Sequence, residues 1–172
     1  MIRPLCVLRA MWRALGLATG LAASPAAACT LMAPDGGAVI LGTHHVNATD
    51  DFDEGLGLRG LTLNWDCQSV ETSFAVFRNS FGNLGTGVSA RFTDWRLGND
   101  TVSLSPVVGL NWYPEEETAR LRRSNGFFPL AGVQTTLDLG RSDLWLSWYP
   151  AYKSKDVGSF DSLLVAGISW DW

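Results

Sequence analysis

Histidine is scarce in this chain, with two in 172 residues, and so is cysteine, with three. No set of His, Cys, Asp and Glu stands at a spacing that ligates a metal. No glycine-rich loop is laid out to cradle phosphate, so neither a metal nor a cofactor is expected. Also missing is any apolar run near the roughly 20 residues a membrane-crossing helix needs. No stretch of useful length keeps a helical period, and there is no low-complexity tract or linker. If the chain enters a membrane it does so as a barrel, because only helices and closed barrels satisfy every backbone polar group there. Basic residues are outnumbered 13 to 17, for a net charge of −4. That balance argues against nucleic acid as a partner.

The opening segment, MIRPLCVLRAMWRALGLATGLAASPAAAC, carries Arg3, Arg9 and Arg13, then an apolar run over Ala14–Ala23, then Ala26, Ala27 and Ala28. This is the layout of an export signal, with cleavage expected after Ala28. Residues 1–28 are therefore read as signal peptide and residues 29–172 as one barrel domain. Removal of three arginines and no acids leaves that domain more acidic still.

Alternating apolar and small or polar residues predict strands near Ala38–Val46, Glu54–Trp65, Ser69–Asn79, Leu84–Thr93, Thr101–Tyr113, Phe127–Leu139, Ser142–Pro150 and Phe160–Trp172. The fifth sets Val102, Leu104, Val108, Leu110 and Trp112 against Ser103, Ser105, Gly109 and Asn111; Pro106 inside it predicts a bulge or local bend. The tail sets Phe160, Ser162, Leu164, Ala166, Ile168, Trp170 and Trp172 against Asp161, Leu163, Val165, Gly167, Ser169 and Asp171. This is the two-residue period of a strand with lipid outside and a packed lumen inside. The fold expected is all-β, an eight-stranded antiparallel up-and-down transmembrane β-barrel, monomeric, in the bacterial outer membrane. Connections then alternate between short turns (66–68, 94–100, 140–141) and longer outer loops (47–53, 80–83, 114–126, 151–159). Trp112, Tyr113, Trp145, Trp148, Tyr149, Trp170 and Trp172 are expected to form interfacial girdles. Once Cys6 leaves with the signal, Cys29 and Cys67 share the short-turn side. A disulfide between them is expected in an oxidising compartment, with lipidation of Cys29 as the competing reading.

This topology brings His44 and His45, ending the first strand, to the same outer rim as Arg78, Asn79 and Ser80 in the stretch FRNSFGN at 77–83. Consecutive strand residues face opposite ways, so only one of the two histidines can turn inward. Whichever of them does can meet Ser80 above the lumen, as a base for its hydroxyl. The stretch also reads as a plain hairpin tip, with Gly82 supplying a positive φ. The run YPEEETARLRRSNG reads either as a solvated loop or as a site for lipid phosphates.

The segments HHVN…FDEGLGLRG, SFAVFRNSFGN, FFPLAGVQTTLDLG, WYPAY and LLVAGISWDW, in that order, resemble the outer-membrane lipid A palmitoyltransferases. That resemblance implies an eight-stranded barrel moving an acyl chain from phospholipid to lipid A. It implies a catalytic histidine at His45, or His44, and a catalytic serine at Ser80. Asn79 stands where that family has aspartate, and an amide can orient but cannot accept a proton. Asn79 and Arg78 then orient substrate or stabilise an oxyanion, with His44 beside them as a substrate contact. Three functions follow: an acyltransferase, or hydrolase if water replaces the acceptor; a non-catalytic small barrel in envelope integrity or surface contact; and a soluble lipocalin-like binder, which would need polar outer faces.

Overall fold

The computed structural model describes residues 33–46, 52–113, 126–154 and 158–172, all within one compact unit, Leu31–Trp172. The expected signal segment and Cys29 lie outside the described residues, as does most of the 114–126 loop. Every regular element among the described residues is a strand: β1 (Gly36–Val46), β2 (Gly55–Cys67), β3 (Val70–Arg78), β4 (Leu84–Phe92), β5 (Leu97–Gly98), β6 (Val102–Trp112), β7 (Phe127–Asp138), β8 (Asp143–Tyr149), β9 (Tyr152–Ser154), β10 (Gly158–Phe160) and β11 (Ser162–Asp171). No helix among them is long and apolar enough to cross a membrane.

Eight strands pair antiparallel in the order β4-β3-β2-β1-β11-β8-β7-β6, and β6 returns to β4, so the sheet closes on itself. Closure removes the free edges an open sheet would leave. All eight expected strands are present, to within a few residues at each end. The seam between the first and last strands is tied at its short-turn end. There the Trp172 indole N–H donates to Pro34 O at 2.9 Å, and the Trp172 backbone N–H donates to Asp35 O at 3.2 Å. β5, paired to β6, lies in the expected turn 94–100, and the β9–β10 hairpin occupies the expected outer loop 151–159 and also takes Phe160, expected to open the last strand.

Pro106 does not produce a bulge. The ladder between β6 and β7 runs without slip through Pro106↔Val133, while pairing to β4 stops one residue away at Arg91↔Val107. The residue that cannot donate thus sits where one neighbour has already ended.

Alternation assigns the two faces. Leu61, Phe74, Val88, Val108, Leu110 and Leu146 are exposed on the outside, and Ser103, Ser105, Thr136 and Ser147 are buried within. Water penalises such an exterior, and hydrocarbon does not. Exposed aromatics mark both ends of the wall: Trp112, Phe127 and Trp148 near the long loops, and Trp95, Trp170 and Trp172 near the short turns. Tyr113, Trp145 and Tyr149 leave the expected girdles and turn inward, because in β6 and β8 the even positions face out.

The interior has two halves. Toward the short turns, Arg91 donates to Glu71 at 2.6 Å and approaches Thr136 at 3.4 Å, and at mid-height Ser147 donates to Gln134 at 3.1 Å. These side chains fill the lumen, as the width of an eight-stranded barrel permits. Toward the long loops the packing is apolar, with Val107, Tyr149 and Leu163 against Leu130 and Val165. Glu71→Ala leaves the Arg91 charge without its partner in that crowded interior. It is expected to destabilise the barrel by roughly 2–4 kcal/mol, the lower part of the range reflecting partial exposure of the pair. The double change Glu71→Leu/Arg91→Met is expected to recover most of that loss, with urea unfolding in lipid vesicles as the measurement.

Candidate functional site

β1 is not a regular strand. Against β11, Ile40 faces Gly167 and Gly42 faces Ala166, so Leu41 is one residue too many and is absorbed as a bulge. The bulge changes which positions point inward. Ala38 and Ile40 line the lumen before it, and Thr43 lines it after. His45 therefore turns in, its side chain 5% exposed, and His44 turns out, at 64%.

The β1–β2 ladder ends at Thr43↔Gly55, so the next ladder donor on that edge, His45 N–H, has no strand opposite it. Glu54, the residue before β2, fills the place. Its Oε1 accepts from the His45 backbone N–H and lies 2.8 Å from the His45 Nδ1, while its Oε2 lies 2.7 Å from the His44 Nδ1. Nδ1 sits close to the backbone, so rings on opposite faces of the strand both reach a carboxylate placed at its edge. Burial alone would raise the Glu54 pKa. The hydrogen bonds from the His45 backbone and from both imidazoles outweigh burial and hold the carboxyl below its ordinary value. With Nδ1 facing an ionised carboxylate, His45 carries its proton on Nδ1 and presents a lone pair at Nε2. The Ser80 hydroxyl oxygen lies 3.4 Å from that Nε2.

The turn after β3 holds Ser80 in place. Asn79 is buried, and its Oδ1 accepts from Phe81 N–H and Asn83 N–H at 3.0 Å each, while Gly82 N–H donates to Asn79 O. Gly82 takes φ +85°, a left-handed conformation that a side chain would strain. NSFGN is a hairpin tip, and the asparagine builds the tip that carries the serine. Arg78 spans the same turn, its Nε donating to Gly82 O at 3.1 Å and to Asp53 Oδ2 at 2.9 Å. Asp53 also binds Arg59, at 3.1 Å, and its N–H donates to Ser80 O at 2.7 Å. The loop before β2 is so pinned to the turn after β3. Phe52 from that loop stacks on the His45 ring at 4.0 Å between centroids, and Phe81 meets Phe52 edge-on.

Below Ser80 lies a cavity of about 130 Å³. Ser80, Arg59 and Thr43 are at its mouth, and Ala75, Val107 and Leu130 are among its apolar walls. Gly87 and Gly109, at the points where side chains would otherwise meet, leave the space open. Beside it the wall is thin. Gly60 pairs with Phe77, yet Asp53 meets Ser80, so residues 54–59 stand opposite only Arg78 and Asn79. The excess bows outward through Gly55 and Gly57, at φ +124° and +147°, and carries Leu56 and Leu58 at 92% and 69% exposure.

Sequence reasoning missed Glu54. The available signal was the hairpin itself: a β1–β2 turn that returns near residue 54 brings an acid opposite His44 and His45. Cys67 closes β2 at the short-turn rim, where its Sγ lies 3.6 Å from both Trp65 O and Thr72 Oγ1. Its expected partner lies outside the described residues. Among the described residues, no cluster of His, Cys, Asp and Glu could hold a metal ion.

No family model matches the chain, and no curated protein matches it. The crystal structure of Neisserial surface protein A aligns at 10% identity, over 80% of this chain and 94% of that one, with a TM-score of 0.37. Likeness at that level decides nothing about chemistry, and the eight-stranded outer-membrane-type fold stands on the strand pairing itself.

Proposed function

We propose that the protein resides in the bacterial outer membrane as an acyl-ester enzyme, taking an acyl chain from a phospholipid and passing it to lipid A, with Ser80 as nucleophile. The observation that carries this reading is the alignment Ser80 Oγ, His45 Nε2, His45 Nδ1 and Glu54 Oε1 above a cavity with both apolar and polar walls. A serine hydroxyl, an imidazole and a carboxylate in that order form the relay that activates a serine in unrelated folds. The 3.4 Å approach of serine to histidine is loose, as expected before substrate tightens it.

In the first half-reaction the Ser80 oxygen attacks the ester carbonyl while His45 Nε2 takes the hydroxyl proton. His45 returns that proton to the departing lysophospholipid oxygen, leaving the acyl group on Ser80. In the second, a lipid A hydroxyl loses its proton to His45 and attacks the acyl carbonyl, and Ser80 leaves and is reprotonated. Water in place of that hydroxyl makes the protein a hydrolase. Glu54 supplies the carboxylate that the aspartate-to-asparagine difference at 79 takes away. The carbonyl oxygen's developing charge falls to Arg59, Arg78 and the Asn79 Nδ2, which share the cavity mouth with Ser80. The outward apolar surface, with aromatics at both ends, supports the membrane assignment. The signal cleavage after Ala28 and the Cys29–Cys67 disulfide belong to the same proposal.

Mass spectrometry of lipid A and lysophospholipid, after incubating purified protein with both lipids in micelles, tests the reading. Acylated lipid A, or free fatty acid, is expected with the wild type and absent with Ser80→Ala. Unchanged lipids with the wild type would favour the non-catalytic small barrel. The protruding leucines should matter only for substrate held in an aggregate. Leu56→Asn/Leu58→Asn is expected to lower turnover of micellar or bilayer lipid by roughly tenfold, as lost apolar contact implies, and to leave hydrolysis of a soluble short-chain ester unchanged.

A further inference from the structure

Glu54 is held from two sides, and only one of its partners belongs to the relay. Oε1 is taken up by His45, which donates to it from both backbone and ring. If these were the only bonds, the carboxylate could rotate about its own axis and offer Nδ1 a poor angle. Oε2 is fixed instead by the outward-facing His44, at 2.7 Å. His44 is mostly exposed and forms no part of the cavity wall, so packing does not explain it. It pairs across the strand with Leu164, also at the rim.

We infer that His44 is a positioning residue for the reaction, the outer jaw of a two-histidine clamp that locks the Glu54 carboxylate in the plane where it orients His45. This inference rests on the serine relay proposed above and adds to it a residue outside the cavity lining. Donors behind a catalytic group fix its tautomer and direction, and their loss lowers turnover without removing any reacting atom. The Leu41 bulge serves both jaws. It turns one histidine in and leaves the adjacent one facing out, so that the same carboxylate is gripped from each face of the strand.

The clamp needs a donor at the Nδ1 position, and two conservative replacements separate that need from bulk or charge. The Asn side-chain nitrogen lies near where Nδ1 stands, whereas the Gln nitrogen lies near Nε2. The test measures kcat and KM of the full mature protein on a defined phospholipid in micelles, with heat-modified gel mobility checking that each variant is a closed barrel. His44→Ala is expected to lower kcat about tenfold with KM unchanged, His44→Asn to recover to within about twofold of wild type, and His44→Gln to remain as low as His44→Ala. Wild-type kcat in His44→Ala, or equal rates in His44→Asn and His44→Gln, would overturn the clamp. Those results, with Ser80→Ala inactive, would leave the relay standing; activity retained in Ser80→Ala would remove the relay and the clamp with it.

Discussion

Ser80→Ala and His45→Ala are each expected to reduce acyl release from phospholipid by at least about a thousandfold, and the double variant to be no worse than either single one. Non-additivity is the informative part. A nucleophile without its base, and a base without its nucleophile, both lose the same transition state. A serine that merely lined the cavity would add its small effect to that of the histidine. Neither change should disturb the barrel. The turn that carries Ser80 is held by the Asn79 side chain, the Asn79 backbone and Arg78, none of which uses the serine hydroxyl. Rate measurements on the three variants in detergent micelles, beside their gel mobilities, check both halves of the expectation.

Glu54→Gln is expected to cost about a thousandfold as well, for a different reason. The carboxylate accepts from His45 Nδ1, and so leaves the lone pair at Nε2, facing Ser80. An amide at the same place can turn its NH2 toward Nδ1 and favour the opposite tautomer, which puts a hydrogen on Nε2 and blocks uptake of the serine proton. The pH behaviour follows from the direction of the Glu54 shift. Its pKa is lowered in the folded protein, so the stabilisation it gives the β1–β2 connection is complete above its unfolded value. That stabilisation is lost only as the pH falls through the lower, folded value. A carbon-13 titration of the Glu54 carboxyl should therefore show a midpoint below the ordinary glutamate value, and His44→Ala should move that midpoint upward.

The barrel was legible in the sequence because lipid and lumen impose opposite demands on alternate residues. The strand faces of Val102–Trp112 and of the C-terminal run fell out of that period with no other information. It failed where a single residue changes the count. Leu41 is ordinary in composition, and an unbroken alternation from Ala38 and Ile40 would carry His44 inward; only the pairing with Gly167 and Ala166 reveals the extra residue. Aromatic content alone assigned Tyr113, Trp145 and Tyr149 to the girdles, whereas strand parity sends them into the lumen. Pro106 shows the converse. Its missing donor was visible, but where the neighbouring strand stops was not. At the site, the topology brought Ser80 and the His44–His45 pair to one rim, since strands one and three end there, but it did not say which histidine turns inward. Glu54 was missed, because its role depends on where the β1–β2 ladder ends, so that a side-chain carboxylate and not a backbone carbonyl accepts from His45 N–H, and only a hairpin drawn to that register brings the acid there.

Fluorophosphonate labelling of the detergent-solubilised protein, followed by peptide mass spectrometry, asks most directly whether this barrel holds an activated serine. A single adduct on the Ser80 peptide, lost in His45→Ala and strongly reduced in Glu54→Gln, is the predicted result. An unlabelled Ser80, or labelling that persists at the wild-type rate without His45, would contradict it.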